Sequence, residues 1–168
     1  TVHRNSVRMG LAVRKLIEKE KLTAFSANFQ NFSSASGMPT LPFLEASKAM
    51  ARGIGYAGEG DVLTSALVGA LLSVYPETSF TEMFCPNWKD GTIFLSHMGE
   101  INYRVVAGKP DLIEKDMPFG DVDNPAIACG CFKPGKVCIV NLAPGPDNTY
   151  TLVIAPGAMV GVKKKHDN

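Results

Sequence analysis

The sequence has almost no excess of charge of one sign and no long apolar run. Seventeen lysine and arginine residues stand against sixteen aspartate and glutamate residues, and the only basic run is residues 163–165. The formal net charge of +1 therefore indicates neither a nucleic-acid partner nor an anionic membrane surface. The longest apolar stretch, residues 62–75, is broken by Thr, Ser and Gly, and its 14 residues fall short of the roughly 20 that cross a bilayer. With no signal-peptide pattern at its start, the chain is expected to be soluble, with no membrane partner.

The sequence also lacks the cysteine spacing of zinc sites. Cys129 and Cys131 form a C-x-C pair with no histidine nearby, while Cys85 and Cys138 lie further away along the chain. On a strand, the C-x-C spacing would place both thiols on one face. We expect four reduced cysteines that act as small apolar side chains in the core of a cytoplasmic protein.

The order of apolar and polar residues predicts an α+β fold that changes character near residue 78. Helical spacing predicts helices at 4–21, 43–52 and 61–75, and alternation predicts a strand at 22–29. The last of these helices is apolar nearly all round, so we expect it to be buried. The predicted strands after residue 78 are 79–84, 92–97, 103–107, 126–132, 136–142, 150–154 and 158–162.

These elements predict two domains. Residues 1–78 form a helical α/β segment, and residues 79–168 form an antiparallel domain that resembles a barrel. The boundary lies where helical spacing gives way to short runs bounded by Gly, Pro, Asn and Asp. With 45% hydrophobic residues, the chain can bury a core.

Residues 53–58 match the G-x-G-x-x-G pattern of dinucleotide-binding loops, but a predicted helix precedes them. The pattern binds a pyrophosphate only when a strand comes before it and a helix after it. We therefore interpret Gly53 as the C-terminal cap of the preceding helix and predict no nucleotide site.

Two acidic residues lie at the start of the third predicted helix. Asp61 has the position of an N-cap, where a carboxylate accepts backbone N–H groups and suits the helix dipole. Glu59 lies in a tight turn between Gly58 and Gly60, and capping explains it less well. Because carboxylates beside an apolar segment are usually capped, paired or metal-bound, Glu59 is a candidate ligand.

Glu82 and His97 are polar residues among apolar neighbours. Taken singly, each is more often an exposed or hydrogen-bonded polar residue. Together they lie on neighbouring predicted strands joined by a turn near residues 89–91, and antiparallel pairing would bring them close to opposite each other. Two carboxylates and an imidazole suit a hard divalent ion such as Mn²⁺, so Glu59, Glu82 and His97 are a candidate metal site.

Three motifs in this order resemble the L-arabinose isomerase family. The first is Gly-Tyr-Ala-Gly-Glu-Gly-Asp at residues 55–61. The second is Thr-Ser-Phe-Thr-Glu at 78–82, and the third is Leu-Ser-His-Met-Gly-Glu at 95–100. The resemblance covers residues 32–110, with a weaker trace to the C-terminus.

The resemblance implies that Glu59, Glu82 and His97 bind a divalent cation, which is Mn²⁺ in that family. It further implies that Glu59 and Glu82 are catalytic and move a proton between C1 and C2 of a sugar through a cis-enediol. Phe32 falls where the family has an apolar residue that faces the sugar. The implied fold is the end of an α/β, Rossmann-like domain followed by an antiparallel barrel.

The sequence departs from the family directly after Glu82, where Met83, Phe84 and Cys85 replace an aspartate and nearby tyrosines. The surroundings of the sugar are therefore expected to differ. The family also has a fourth metal ligand, a histidine that would lie beyond residue 168, and its site lies between subunits. Because the chain does not begin with Met, we expect it to be part of a longer protein, and the resemblance implies a homo-oligomer.

The leading hypothesis is that the chain is part of a metal-dependent isomerase that interconverts an aldose and a ketose. One alternative is a non-catalytic domain of the same fold that binds sugar or forms oligomers. Another is a metal-dependent hydrolase with the same ligands, because the geometry of a site does not fix the reaction.

Overall fold

The structure is a computed structural model that describes residues 1–161. The basic run at 163–165 lies outside the described residues. The helices are α1 (Val2–Glu20), α2 (Phe43–Ala51) and α3 (Val62–Leu72). The strands are β1 (Ala24–Ser26), β2 (Gly55–Ala57), β3 (Glu82–Asn87), β4 (Thr92–Ser96), β5 (Asp111–Glu114), β6 (Ala126–Cys129), β7 (Gly135–Pro144) and β8 (Tyr150–Met159).

The α+β class predicted from the sequence is confirmed. The antiparallel pairs are β3 with β4, β5 with β6 and β7 with β8, whereas β1 and β2 pair in parallel. Within residues 1–161 these pairs are separate two-stranded sheets, so the described strands form no closed barrel. A barrel would need each pair to hydrogen-bond to the next. The division into two domains at residue 78 stays a prediction.

Residues Tyr103–Val105 form a short 3₁₀ turn, and the strand predicted at 103–107 is reduced to a single antiparallel bridge between Val106 and Phe132. The reason is Asn102, whose side-chain oxygen accepts a hydrogen bond of 3.0 Å from the backbone N–H of Arg104. The amide nitrogen of the same side chain donates to the carbonyls of Pro76 and Thr78 at 3.1 and 2.7 Å. These bonds tie the chain after β4 to the segment that leads into β3.

Helix α3 is half exposed, so the expectation that it is buried is wrong. Ser65, Val68 and Leu72 are buried, but Val62 is 72% exposed. The strands β1 and β2 cover one side of the helix, and β7 also contacts it. When a helix is apolar all round, its sequence does not show which side its neighbours will cover.

Two glycines allow α3 to lie directly against the parallel pair of strands. A Cβ atom on Gly55 would come within 2.3 Å of the carbonyl oxygen of Ser65 and 2.4 Å of the backbone nitrogen of Gly69. A Cβ on Gly69 would come within 2.9 Å of the carbonyl oxygen of Thr23, just before β1. This close approach fixes the position of β2 and of the loop that follows it.

The buried apolar side chains form two groups. The first lies around β2 and α3 and consists of Ala46, Met50, Tyr56, Ala57, Val68, Leu72 and Phe80. The second consists of Met9, Phe32, Leu41, Phe43 and Ile127. Tyr56 and Phe80 of the first group border the candidate site described below.

The four cysteines differ in burial, and only some of them are in the protein interior. Cys129 and Cys131 are partly buried, while Cys85 and Cys138 are exposed. The expectation of small apolar side chains in the core is therefore wrong for the two exposed residues, which lie on the hairpin strands β3 and β7. No helix within residues 1–161 is long and apolar enough to span a membrane.

We expect the substitution Gly55→Ala to destabilise the protein by about 1–3 kcal/mol, because the added methyl group meets backbone atoms that cannot rotate away. Urea unfolding followed by circular dichroism measures the change. The control is Gly157→Ala in β8, where the nearest atom to the new Cβ, Cγ2 of Val137, lies at an ordinary 3.9 Å. Equal stability of the two variants would contradict the packing described here.

Candidate functional site

The hairpin of β3 and β4 brings Glu82 next to His97. The partner of Glu82 across the pair is Ser96, the last residue of β4, and His97 follows directly. As a result, Oε2 of Glu82 lies 3.8 Å from Nε2 of His97. The structure thus has the proximity that the hairpin pattern indicates, while a role of these residues as metal ligands stays a prediction.

The imidazole of His97 is 11% exposed and has neighbours on three sides. Its Nδ1 contacts the carboxylate of Glu100, and its ring centroid lies 4.7 Å from that of Phe80 in an edge-on arrangement. On the third side, a Cβ atom on Gly58 would lie 2.9 Å from Cε1 and 3.1 Å from Nε2 of the imidazole. Glycine at position 58 therefore leaves the space that the imidazole occupies.

Glu100 connects His97 to a tyrosine in the protein interior. Its side chain is buried, with Oε2 against Nδ1 of His97 and Oε1 accepting a hydrogen bond from the hydroxyl group of Tyr56. Tyr56 is buried on β2, and its ring centroid lies 5.0 Å from that of Phe25. We call these three residues the Tyr56–Glu100–His97 row, which ends with Nε2 of His97 near Glu82.

The surroundings shift the pKa of each group in the row. Burial raises the pKa of Glu100, although His97 and Tyr56 act in the opposite direction. Burial, then the charge of Glu100, raises the pKa of Tyr56 well above its ordinary value. Burial lowers the pKa of His97, but the hydrogen bond and charge of Glu100, with smaller contributions from Glu82 and Glu59, raise it overall. The carboxylates around His97 therefore favour positive charge at this place.

Glu59 lies at the edge of the site, in the loop between β2 and α3. A hydrogen bond of 3.0 Å from the backbone N–H of Asp61 to the carbonyl of Gly58 closes this loop. Glu59 is exposed and has a φ of 61°, which is uncommon for a residue other than glycine. Asp61 caps α3, as the sequence predicts, by accepting a hydrogen bond of 2.9 Å from the backbone N–H of Thr64.

Phe32 lies in the second group of core side chains. It is buried and packs with side chains from α1, the start of α2 and β6. It does not belong to the lining of the cleft beside His97. Its role in sugar binding stays a prediction.

A cleft of roughly 450 Å³ opens beside His97, between the β3–β4 hairpin and β6. His97 and Glu100 lie in its wall, together with apolar side chains such as Phe94, Leu95 and Ile101. Its volume is in the range of pockets that hold small molecules. One side of the imidazole therefore faces Glu82, and another faces a space that a small ligand could enter.

The donors of Glu82 and His97 fit a divalent cation. A separation of 3.8 Å is too long for a hydrogen bond between Oε2 and Nε2. Carboxylate oxygen and imidazole nitrogen are both ligands of first-row divalent ions. Within residues 1–161, however, no three His, Cys, Asp or Glu side chains are grouped to hold a metal ion. Glu82 and His97 can thus supply two ligands of a site that needs others.

Sequence reasoning missed Tyr56, Gly58 and Glu100. A signal for Glu100 exists, because it follows His97 by three residues across a turn in which Gly99 has a φ of 78°. Tyr56 has no such signal, since its hydrogen-bond partner lies 44 residues away. Gly58 belongs to the glycine-rich pattern at 53–58, but the structural reason for it is the imidazole that lies against it.

The chain is similar to known sugar isomerases. Residues 2–75 match the family model of the L-arabinose isomerase central domain. L-arabinose isomerase 2 of Bacillus licheniformis is 32% identical over 137 residues, which cover 79% of this chain and 28% of that protein. The L-arabinose isomerase of Mannheimia succiniciproducens is 31% identical over an alignment of 172 residues that covers 97% of this chain and 33% of the relative. The chain thus spans about a third or less of the length of the curated relatives it matches.

We expect Gly58→Ala to displace the imidazole of His97, because the new methyl group would lie within 2.9 Å of Cε1 in the present arrangement. The backbone of Gly58 is outside the left-handed region, so alanine causes no strain of its own. The Cε1–Hε1 resonance of His97 in a carbon–proton NMR spectrum should shift, while that of the exposed His3 stays in place. An unchanged His97 resonance would contradict the contact.

Proposed function

Because the chain belongs to the L-arabinose isomerase family over the segment that it shares with its relatives, we propose that it carries part of the active site of an aldose–ketose isomerase. The observation that carries the proposal is the separation of 3.8 Å between Oε2 of Glu82 and Nε2 of His97. Both residues come from the motifs by which the sequence resembles that family. Their pairing on one hairpin supports a shared role.

We further propose that the site binds a divalent cation, and Mn²⁺ is the candidate. Glu82 and His97 would hold it from the hairpin, and Glu59 would approach from the loop between β2 and α3. The loop that carries Glu59 lies against His97, because a Cβ atom on the preceding residue, Gly58, would lie 2.9 Å from Cε1 of the imidazole. A cation bound here would polarise the carbonyl group of a sugar and stabilise the negative charge that forms when the neighbouring carbon loses a proton.

The two glutamates supply the groups that move protons. One carboxylate would take the proton from the carbon next to the sugar's carbonyl group, which leaves an enediolate, and protonation of its oxygen gives the cis-enediol. The proton then returns to the former carbonyl carbon, while a second proton moves between the two oxygens, so the sugar gains and loses no atoms. Glu82 is suited to this exchange because its side chain is 42% exposed, and Glu59 is exposed as well.

The third step of the proposal is that residues outside this chain complete the site. Together with Glu59, this chain would supply three ligands, and hard divalent cations take more. The resemblance provides a further histidine beyond residue 168 and a site between subunits. We therefore propose a homo-oligomer of a longer cytoplasmic protein in which a neighbouring subunit closes the sugar-binding space.

We expect Mn²⁺ to bind to this chain and the substitution Glu82→Gln to weaken binding by more than about tenfold, or about 1.4 kcal/mol, because a ligand charge is lost. Isothermal titration calorimetry measures the dissociation constant. The matched control is Glu77→Gln, which removes an exposed carboxylate that pairs with Lys133 at 2.8 Å. Full affinity in Glu82→Gln and in Glu59→Gln would refute the metal site.

The reaction itself is tested with pentoses, hexoses and 6-deoxyhexoses in the presence of Mn²⁺. We expect formation of the corresponding ketose, measured by chromatography, and its loss in Glu59→Gln because a proton-transfer group is removed. If Mn²⁺ binds but none of these sugars is converted, even by a longer form of the polypeptide, the result would favour the non-catalytic domain.

A further inference from the structure

We propose that Glu100 is a positioning residue that determines which nitrogen of His97 faces Glu82. This inference deepens the proposed function. It rests on that function in one respect, namely that the nitrogen facing Glu82 binds a cation. Glu100 lies outside the set of residues assigned to the cation or to the sugar. It acts only through the imidazole of His97.

Both oxygens of the Glu100 carboxylate are engaged. Oε2 contacts Nδ1 of His97, and Oε1 accepts the hydrogen bond of Tyr56. When Glu100 is ionised, its carboxylate can only accept hydrogen bonds, so the nitrogen in contact with Oε2 is then the one that carries the hydrogen. A neutral imidazole has one N–H group, and its lone pair is then on Nε2, the nitrogen that lies 3.8 Å from Glu82. Only a nitrogen with a lone pair can bind a metal ion.

The carboxylate is held by parts of the protein that cannot easily move. A Cβ on the preceding residue, Gly99, would lie 2.4 Å from Cβ of Ile127, so the turn rests directly on β6. The hydroxyl group of Ser47 in α2 donates a hydrogen bond of 3.2 Å to the carbonyl of Gly99. Tyr56, which is part of β2, is buried. Glu100 therefore orients His97 from a fixed frame.

A role in stability alone does not account for this arrangement. A buried carboxylate is costly, and an apolar residue of similar size is often as stable in its place. The other buried glutamate, Glu45, pairs with the permanently charged Arg52. Glu100 has instead a tyrosine and a histidine, groups whose hydrogen positions its charge can determine. This difference points to orientation of the imidazole as its contribution.

The test reads the hydrogen position on His97 directly and without metal. In the chain labelled with ¹⁵N-histidine, at a pH where the imidazole is neutral, a long-range ¹H–¹⁵N spectrum distinguishes the protonated from the unprotonated ring nitrogen. We expect His97 to have its hydrogen on Nδ1 and its lone pair on Nε2. In Glu100→Gln we expect a mixture of both forms, because an amide group can donate as well as accept.

Two further variants separate orientation from stability. Glu45→Gln also removes a buried carboxylate, and we expect it to destabilise the chain but leave the His97 spectrum unchanged. Tyr56→Phe removes the hydrogen bond to one oxygen of Glu100. We expect this variant to show a mixture of the two forms of the His97 imidazole, with a smaller change than in Glu100→Gln. This second variant keeps the test usable if Glu100→Gln does not fold. In the metal titration, Glu100→Gln should lower the affinity for Mn²⁺ about ten- to hundredfold.

The outcomes distinguish this inference from the function on which it rests. A wild-type His97 with its hydrogen on Nε2, or a spectrum that is the same in Glu100→Gln, would overturn the positioning role whether or not Mn²⁺ binds. The expected spectra together with no Mn²⁺ binding in any form would support the positioning role and refute the metal site instead.

Discussion

Glu100 carries a carboxylate into the protein interior, and its contact with Nδ1 of His97 is the constraint on which the candidate site depends. A buried charge without partners is strongly unfavourable, so the carboxylate requires donors on both of its oxygens. The hydroxyl group of Tyr56 donates a hydrogen bond to one oxygen, and Nδ1 of His97 contacts the other. The orientation of His97 thus follows from the needs of a buried charge, and the nitrogen near Glu82 is a consequence of it.

Close approaches between backbone segments position the residues of this contact. Gly55 and Gly69 bring α3 against the parallel strands and thereby fix β2, which carries Tyr56. Gly58, just after β2, leaves the space that the imidazole fills. These glycines lie in one stretch of chain but have two different structural roles. Gly55 and Gly69 allow the helix to pack closely, whereas Gly58 makes room for His97. Gly55 and Gly58, together with Gly53, match the spacing of a dinucleotide-binding pattern, although their surroundings do not.

Local signals in the sequence predicted local structure well. The cap of α3 by Asp61 and the hairpin that joins Glu82 to His97 depend on residues a few positions apart, and both can be read from the chain. Interactions between distant residues could not be predicted in this way. The Tyr56 hydroxyl finds its partner 44 residues later, and Asn102 prevents a strand at 103–107 through bonds to a segment more than 20 residues earlier.

Apolar patterning alone determined neither the exposure of α3 nor the separation of the strand pairs. The apolar pattern of a helix or strand indicates that its surface tends to be covered. The pattern does not show which element covers that surface, or whether this element is near in the sequence. Glu59 is an example at the edge of the site. Its loop is formed by local hydrogen bonds, but its proposed role as a ligand depends on residues outside that loop.

The most direct test of the account is anomalous X-ray diffraction from crystals grown with saturating Mn²⁺. We expect a manganese peak bonded to Nε2 of His97 and to a carboxylate oxygen of Glu82, with Nδ1 of His97 still in contact with Glu100. A peak on Nδ1, a peak only at other residues, or no peak at this place would contradict it.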